Sequence, residues 1–163
     1  MIVLQLVLFC SLFALMVKIG AGSSALNCLY FYPKAYQEQA FRLNLTDRET
    51  VARKRKQFML PFFLVMLIAL LLIIGLWNGV QDFGPAYGQA LLFLEVMNWF
   101  DGIVIDRLWV GHSRFWVIPG MVGVPYVQSW PQVLKKRCIL TLIWIVGAAL
   151  VAGLVVLIFN QKM

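Results

Sequence analysis

The sequence has few of the residues that metalloproteins and soluble enzymes use for chemistry. Charged residues make up 13% of the 163 residues, and the chain has one histidine and three cysteines. The cysteines, Cys10, Cys28 and Cys138, form no CxxC pair and no Cys/His cluster. Structural zinc sites take four such ligands and a bis-histidine haem takes two histidines. We therefore predict neither a metal site nor a cofactor within one copy of the chain.

The sequence also lacks any polar stretch as long as a domain. Hydrophobic residues make up 62% of the chain, and the mean hydropathy is +0.84. These values lie far above those of an ordinary soluble domain. The composition therefore predicts one all-α transmembrane domain over residues 1–163.

Four apolar stretches are long enough to cross a bilayer, which takes about 20 residues. The predicted spans cover residues 2–25, 58–77, 86–109 and 138–159. The loop after the third span, GHSRFWVIPGMVGVPYVQSWPQ, is aromatic and apolar, whereas a soluble loop is polar. We therefore predict an integral membrane four-helix bundle with an interfacial apolar loop between helices 3 and 4.

Local signals predict where several helices begin. Thr46 and Glu49 fit a capping box at the start of the second long helix. Pro33 suits the start of a short helix over 34–42, and Ser129 with Pro131 suits the start of the last helix.

Of the three loops, the first and third are rich in basic residues, and the loop between the second and third spans has none. The positive-inside rule then places both long loops in the cytoplasm and both termini outside. The net charge is +7, and its position beside the spans favours anionic lipid headgroups over nucleic acid as the partner. The predicted headgroup residues are Arg53, Lys54, Arg55, Lys56, Lys135, Lys136 and Arg137. The alternative is a site for an anionic ligand, and the predicted location is a bacterial inner membrane.

The third span is unusual because it carries several polar side chains. On a helical repeat of about 100° per residue, five of them share an arc of about 160°. They are Glu95, Asn98, Asp101, Asp106 and His112. Charged groups in a span are costly when they face lipid, so this face is predicted to point to a bundle interior, a wet cavity or a partner.

Three functions fit this polar face. The first is a site that binds or relays a cation, a proton or an amphipathic ligand beneath the apolar loop. The second is a structural or regulatory subunit, in which the carboxylates pair with basic groups across an interface of a homo-oligomer or a larger complex. The third is a lipid-modifying enzyme with His112 as general base, oriented by Asp106. The alternative without a functional site is that Asp101 pairs with a lysine or an arginine of another segment and only fixes packing.

The outline of the chain resembles the MAPEG family, whose members handle glutathione and lipids. The resemblance covers four spans, the outside termini and the basic first loop. That family's second-span signature, a glutamate and an arginine leading to an asparagine, has no counterpart in residues 58–77, so none of its residues or activities is carried over. The segments FDGIVIDRLW and VIPG are similar to small bacterial membrane proteins without an assigned function.

Overall fold

The computed structural model describes residues 1–121 and 123–160, and within these residues it contains helices and no β-strand. Four helices in this part of the chain are long and apolar enough to cross a membrane. They are α1 (Ile2–Ala21), α3 (Arg48–Trp77), α4 (Phe83–His112) and α5 (Trp130–Phe159). A short helix, α2 (Lys34–Arg42), lies between α1 and α3. The predicted all-α class and the predicted range of α2 are confirmed.

Helix α1 ends earlier than the predicted first span, which continues to residue 25. It stops at Ala21 because Gly22 adopts φ 55°, a left-handed conformation that glycine tolerates without a steric penalty. A 3₁₀ helix, Ala25–Phe31, follows. Ala21 and Ala25 are buried, so these small side chains serve packing inside the molecule.

Helix α3 begins with a different cap from the predicted one. Asp47 is the N-cap, and its carboxylate accepts hydrogen bonds from the Thr50 amide at 2.7 Å and the Thr50 hydroxyl at 2.8 Å. The predicted capping box of Thr46 and Glu49 is therefore wrong, because the neighbouring carboxylate satisfies the free amide of the first turn. The last turns of α3, Leu72–Trp77, are a π-helix.

Helix α5 begins as predicted, at the cap formed by Ser129. The Ser129 amide donates to the side chain of Gln132 at 2.9 Å, and Pro131 lies in the first turn. The helix therefore starts about two turns before the predicted fourth span at residue 138, and its first turns carry the basic residues 135–137.

The long helices share one core, but they pack unevenly. Helix α5 lies along α4, and it contacts α3 far less. Ala86 and Ala90 of α4 and Ala148 and Ala152 of α5 are fully buried, which allows close approach of two backbones. At the end of the bundle that holds the α3–α4 loop, Phe159 lies against Gly75 of α3.

The apolar loop after α4 is held by tyrosines of the first loop. The Tyr32 hydroxyl donates to the Trp116 carbonyl at 2.7 Å, and the Tyr36 hydroxyl accepts from the Ile118 amide at 3.4 Å. Burial raises the pKa of Tyr32 above its ordinary value of 10.0, so this hydroxyl stays protonated and keeps its role as a donor. The loop thereby lies over one end of the bundle.

Candidate functional site

The polar face of α4 is shaped by a π-helix over Asp101–Trp109. In an α-helix, Asp101 and Asp106 would point about 140° apart. A π-helix joins residues five apart by backbone hydrogen bonds, so residues at that spacing lie above one another on nearly the same side. The Val110 amide, which bonds to the Ile105 carbonyl, follows this pattern. Both aspartates consequently reach the same neighbour on α5.

That neighbour is Arg137, whose side chain is 1% exposed. Its Nη1 donates to Asp101 Oδ2 at 2.7 Å, and its Nη2 donates to Asp106 Oδ2 at 2.7 Å. Lys136 Nζ lies 3.4 Å from the same Asp106 oxygen. One planar guanidinium thus bridges two carboxylates, a geometry that a lysine ammonium does not reproduce.

The cluster continues along α4 and α5 through uncharged groups. Asn98, which is 2% exposed, donates from Nδ2 to the Arg137 carbonyl at 3.1 Å and to Thr141 Oγ1 at 3.3 Å. The Thr141 hydroxyl donates to Glu95 Oε2 at 2.8 Å. Arg137 Nη1 also donates to the Asn98 carbonyl at 3.0 Å. This chain of hydrogen bonds, from Asp106 to Glu95, fixes α5 against α4.

Gly102 allows the arginine to lie so close to α4. A Cβ built at this position would lie 2.8 Å from Arg137 Nε and 3.0 Å from its Cδ. Any larger residue would therefore displace the arginine stem or the helix. Gly102 is a site residue that the sequence-based prediction missed.

A cleft of about 810 Å³ borders the cluster and continues between α3 and α5. Its polar end is formed by Arg55, Asp101, Asp106, Lys136 and Arg137, at the end of the bundle that carries both long loops. Trp116, Tyr126 and Gln128 of the first and last turns of the apolar loop line the same end. The remaining wall is apolar and comes mainly from α3 and α5, including Phe62, Met66, Leu70, Leu140, Leu150 and Leu154.

The structure therefore brings together four of the five residues predicted for the acidic site. Glu95, Asn98, Asp101 and Asp106 contact α5, whereas His112 is exposed and its Nδ1 lies 3.0 Å from the Leu108 carbonyl of its own helix. No hydrogen bond joins His112 to Asp106 among the described residues. The predicted acid–base pair is thus not formed.

The seven residues predicted to contact headgroups occupy different environments. Arg53, Arg55, Lys56 and Lys135 are exposed, and Lys54 donates to Asn27 Oδ1 at 2.8 Å. Lys136 is partly exposed, and Arg137 is buried inside the bundle. Arg137 therefore provides the countercharge for the acidic face from within the same chain, and Asp101 is paired with an arginine of another segment.

Ion pairs within this donor set join Asp101 and Asp106 to basic residues of α5, and Glu95 accepts a hydrogen bond from the Thr141 hydroxyl. Among residues 1–121 and 123–160, no group of three or more His, Cys, Asp and Glu side chains is placed to hold a metal ion. The two aspartates are instead occupied by cationic side chains of α5.

Comparisons with protein families, with curated proteins and with solved structures returned no match for this chain.

Proposed function

We propose that this chain is an integral membrane protein that holds an amphipathic ligand in the cleft between α3 and α5. The observation that carries this proposal is the shape and chemistry of the cleft. It has a charged end at Asp106 and Lys136 and a long apolar wall, and its volume of about 810 Å³ lies within the range of ligand sites. A molecule with one polar end and an apolar body matches both regions.

The contacts of the carboxylates favour this function over a site for a free cation or a proton relay. Asp101 and Asp106 already share the guanidinium of Arg137, and Glu95 accepts from Thr141. A cation entering the cluster would have to displace a buried arginine and leave it without a partner, which is strongly unfavourable. The cleft beside the cluster requires no such displacement.

The proposed orientation follows from the charges of the loops. The positive-inside rule places the first and third loops in the cytoplasm, and the charged end of the cleft lies at that end of the bundle. Both ends of the chain then lie outside. The apolar loop lies at the cytoplasmic interface, where aromatic side chains such as Trp116 and Tyr126 are common. The membrane that we propose is a bacterial inner membrane.

The experiment is native mass spectrometry after mild solubilisation, with Leu140→Trp as the variant that fills the cleft. Leu140 lines the cleft, whereas Leu142 on the same helix is 68% exposed and lies outside it. We expect the wild type and Leu142→Trp to retain a bound amphiphile, and Leu140→Trp to lose it severalfold. Both tryptophans add similar bulk to an apolar helix, so the comparison isolates the cleft.

A wild-type protein that retains no bound molecule would contradict the proposal, as would equal retention in the two variants. Recovery only as a ligand-free homo-oligomer, or only together with other proteins, would favour a structural or regulatory subunit instead.

A further inference from the structure

We propose that the occupant of the cleft is an anionic phospholipid of the surrounding bilayer, its phosphate held by Arg55 and Lys136 at the charged end. This inference rests on the proposed function, because it names the class of ligand for the same cleft. Two observations support it: the balance of charge and the length of the apolar wall.

The charged end of the cleft has a surplus of positive charge. Three cationic and two anionic side chains line it. Arg137 is committed to both aspartates, and Lys136 shares the Asp106 oxygen at the longer distance of 3.4 Å. Arg55 is exposed and makes no ion pair within the described residues. Basic pockets between transmembrane helices on the cytoplasmic side are typical binding sites for anionic headgroups.

The apolar wall is long enough for an acyl chain. Along α3 the lining residues extend from Arg55 to Leu70, a helical rise of about 22 Å. One leaflet of the hydrocarbon core is about 15 Å thick. The rim residues Phe63 and Leu150 are exposed, so the cleft opens sideways, where a lipid of the same leaflet has direct access.

The test uses the full chain in phosphatidylcholine nanodiscs with a trace of phospholipid that carries a photoactivatable group in its acyl chain. The probe headgroup is either phosphatidylglycerol or phosphatidylcholine, and crosslinked residues are mapped by mass spectrometry. We expect the anionic probe to label cleft residues such as Met66 and Leu140 more strongly. Arg55→Gln and Lys136→Gln should each reduce that preference about fivefold, and Arg55→Lys should largely restore it.

The matched controls are Arg53→Gln and Lys135→Gln, which remove a neighbouring exposed charge that does not line the cleft. They should leave the preference unchanged, and circular dichroism verifies that all variants fold. Equal labelling of the cleft by both probes, or an equal effect of the control variants, would overturn the headgroup assignment and leave the proposed function intact. Labelling of the cleft by neither probe would overturn both.

Discussion

At the scale of single residues, Arg137 decides the character of the candidate site. It stands last in the run of three basic residues at positions 135–137, which the sequence analysis assigned to headgroups as a unit. On a helix these three residues point about 100° apart, so a run of charges cannot share one environment. Lys135 faces outward, and Arg137 faces α4. Thr141 is the only hydroxyl residue of the predicted fourth span, and it lies one turn after Arg137 on the same side of the helix. This polar residue was the sequence signal that this side of α5 faces the polar residues of α4.

We expect Arg137→Gln to destabilise the folded protein by about 3 kcal/mol, because it leaves two partly buried carboxylates without their shared cation. The measurement is reversible unfolding in mixed micelles. Lys135→Gln removes a neighbouring exposed charge, so it is the control and should change the unfolding free energy by less than about 0.5 kcal/mol.

The triple variant Asp101→Asn, Asp106→Asn, Arg137→Gln tests the cause of that loss. It removes the uncompensated charges together with the guanidinium, so it should be more stable than Arg137→Gln alone. If Arg137→Gln unfolds at the same denaturant concentration as the wild type, the guanidinium does not hold α4 and α5 together.

At the scale of helices, the π-helix in α4 was beyond the reach of the sequence pattern. A repeat of 100° places Glu95, Asn98 and Asp101 on a common side, and the structure agrees because α4 is α-helical up to Phe100, the residue before Asp101. The same repeat separates Asp101 from Asp106, yet both contact Arg137. The π-helix lies where Gly102 allows the Arg137 side chain of α5 to approach the backbone of α4. This is a tertiary contact, which the pattern of one helix cannot predict.

Gly102→Ala tests this close contact between α4 and α5. The added Cβ would lie 2.8 Å from Arg137 Nε, so we expect a loss of about 1–3 kcal/mol in unfolding free energy. Gly88→Ala, on the same helix, has open space around its Cβ position. That control should be neutral or gain up to about 1 kcal/mol, because alanine is the better helix former. Equal effects of the two substitutions would show that helix propensity, and not the approach of Arg137, controls the result.

The helix caps show both the strength and the limit of local patterns. Ser129 and Pro131 predicted the start of α5 correctly, because Ser129 is the N-cap and Gln132 completes its capping box. The capping box at Thr46 failed because Asp47, the next residue, offers a charged acceptor to the same free amides. A sequence pattern cannot decide which of two adjacent residues is the N-cap, because that depends on the conformation of the whole turn.

At the scale of the whole molecule, the cleft follows from uneven packing of the long helices. Buried alanines at four-residue spacing allow α4 and α5 to pack closely. At the C-terminal end of α5, Phe159 contacts Gly75 of α3. Between that contact and the two long loops, α3 and α5 leave the space that forms the cleft. Composition and the length of the apolar stretches predicted the four spans. The sequence offered no way to predict which helices pair, and therefore none to predict the cleft.

The most direct test of this account is an experimental structure of the protein in a lipid bilayer. We predict elongated density between α3 and α5, with its polar end beside Arg55 and Lys136 and the Arg137 guanidinium still bridging Asp101 and Asp106. Helices α3 and α5 closed against each other, or side chains of a second protein chain filling the cleft, would contradict the account.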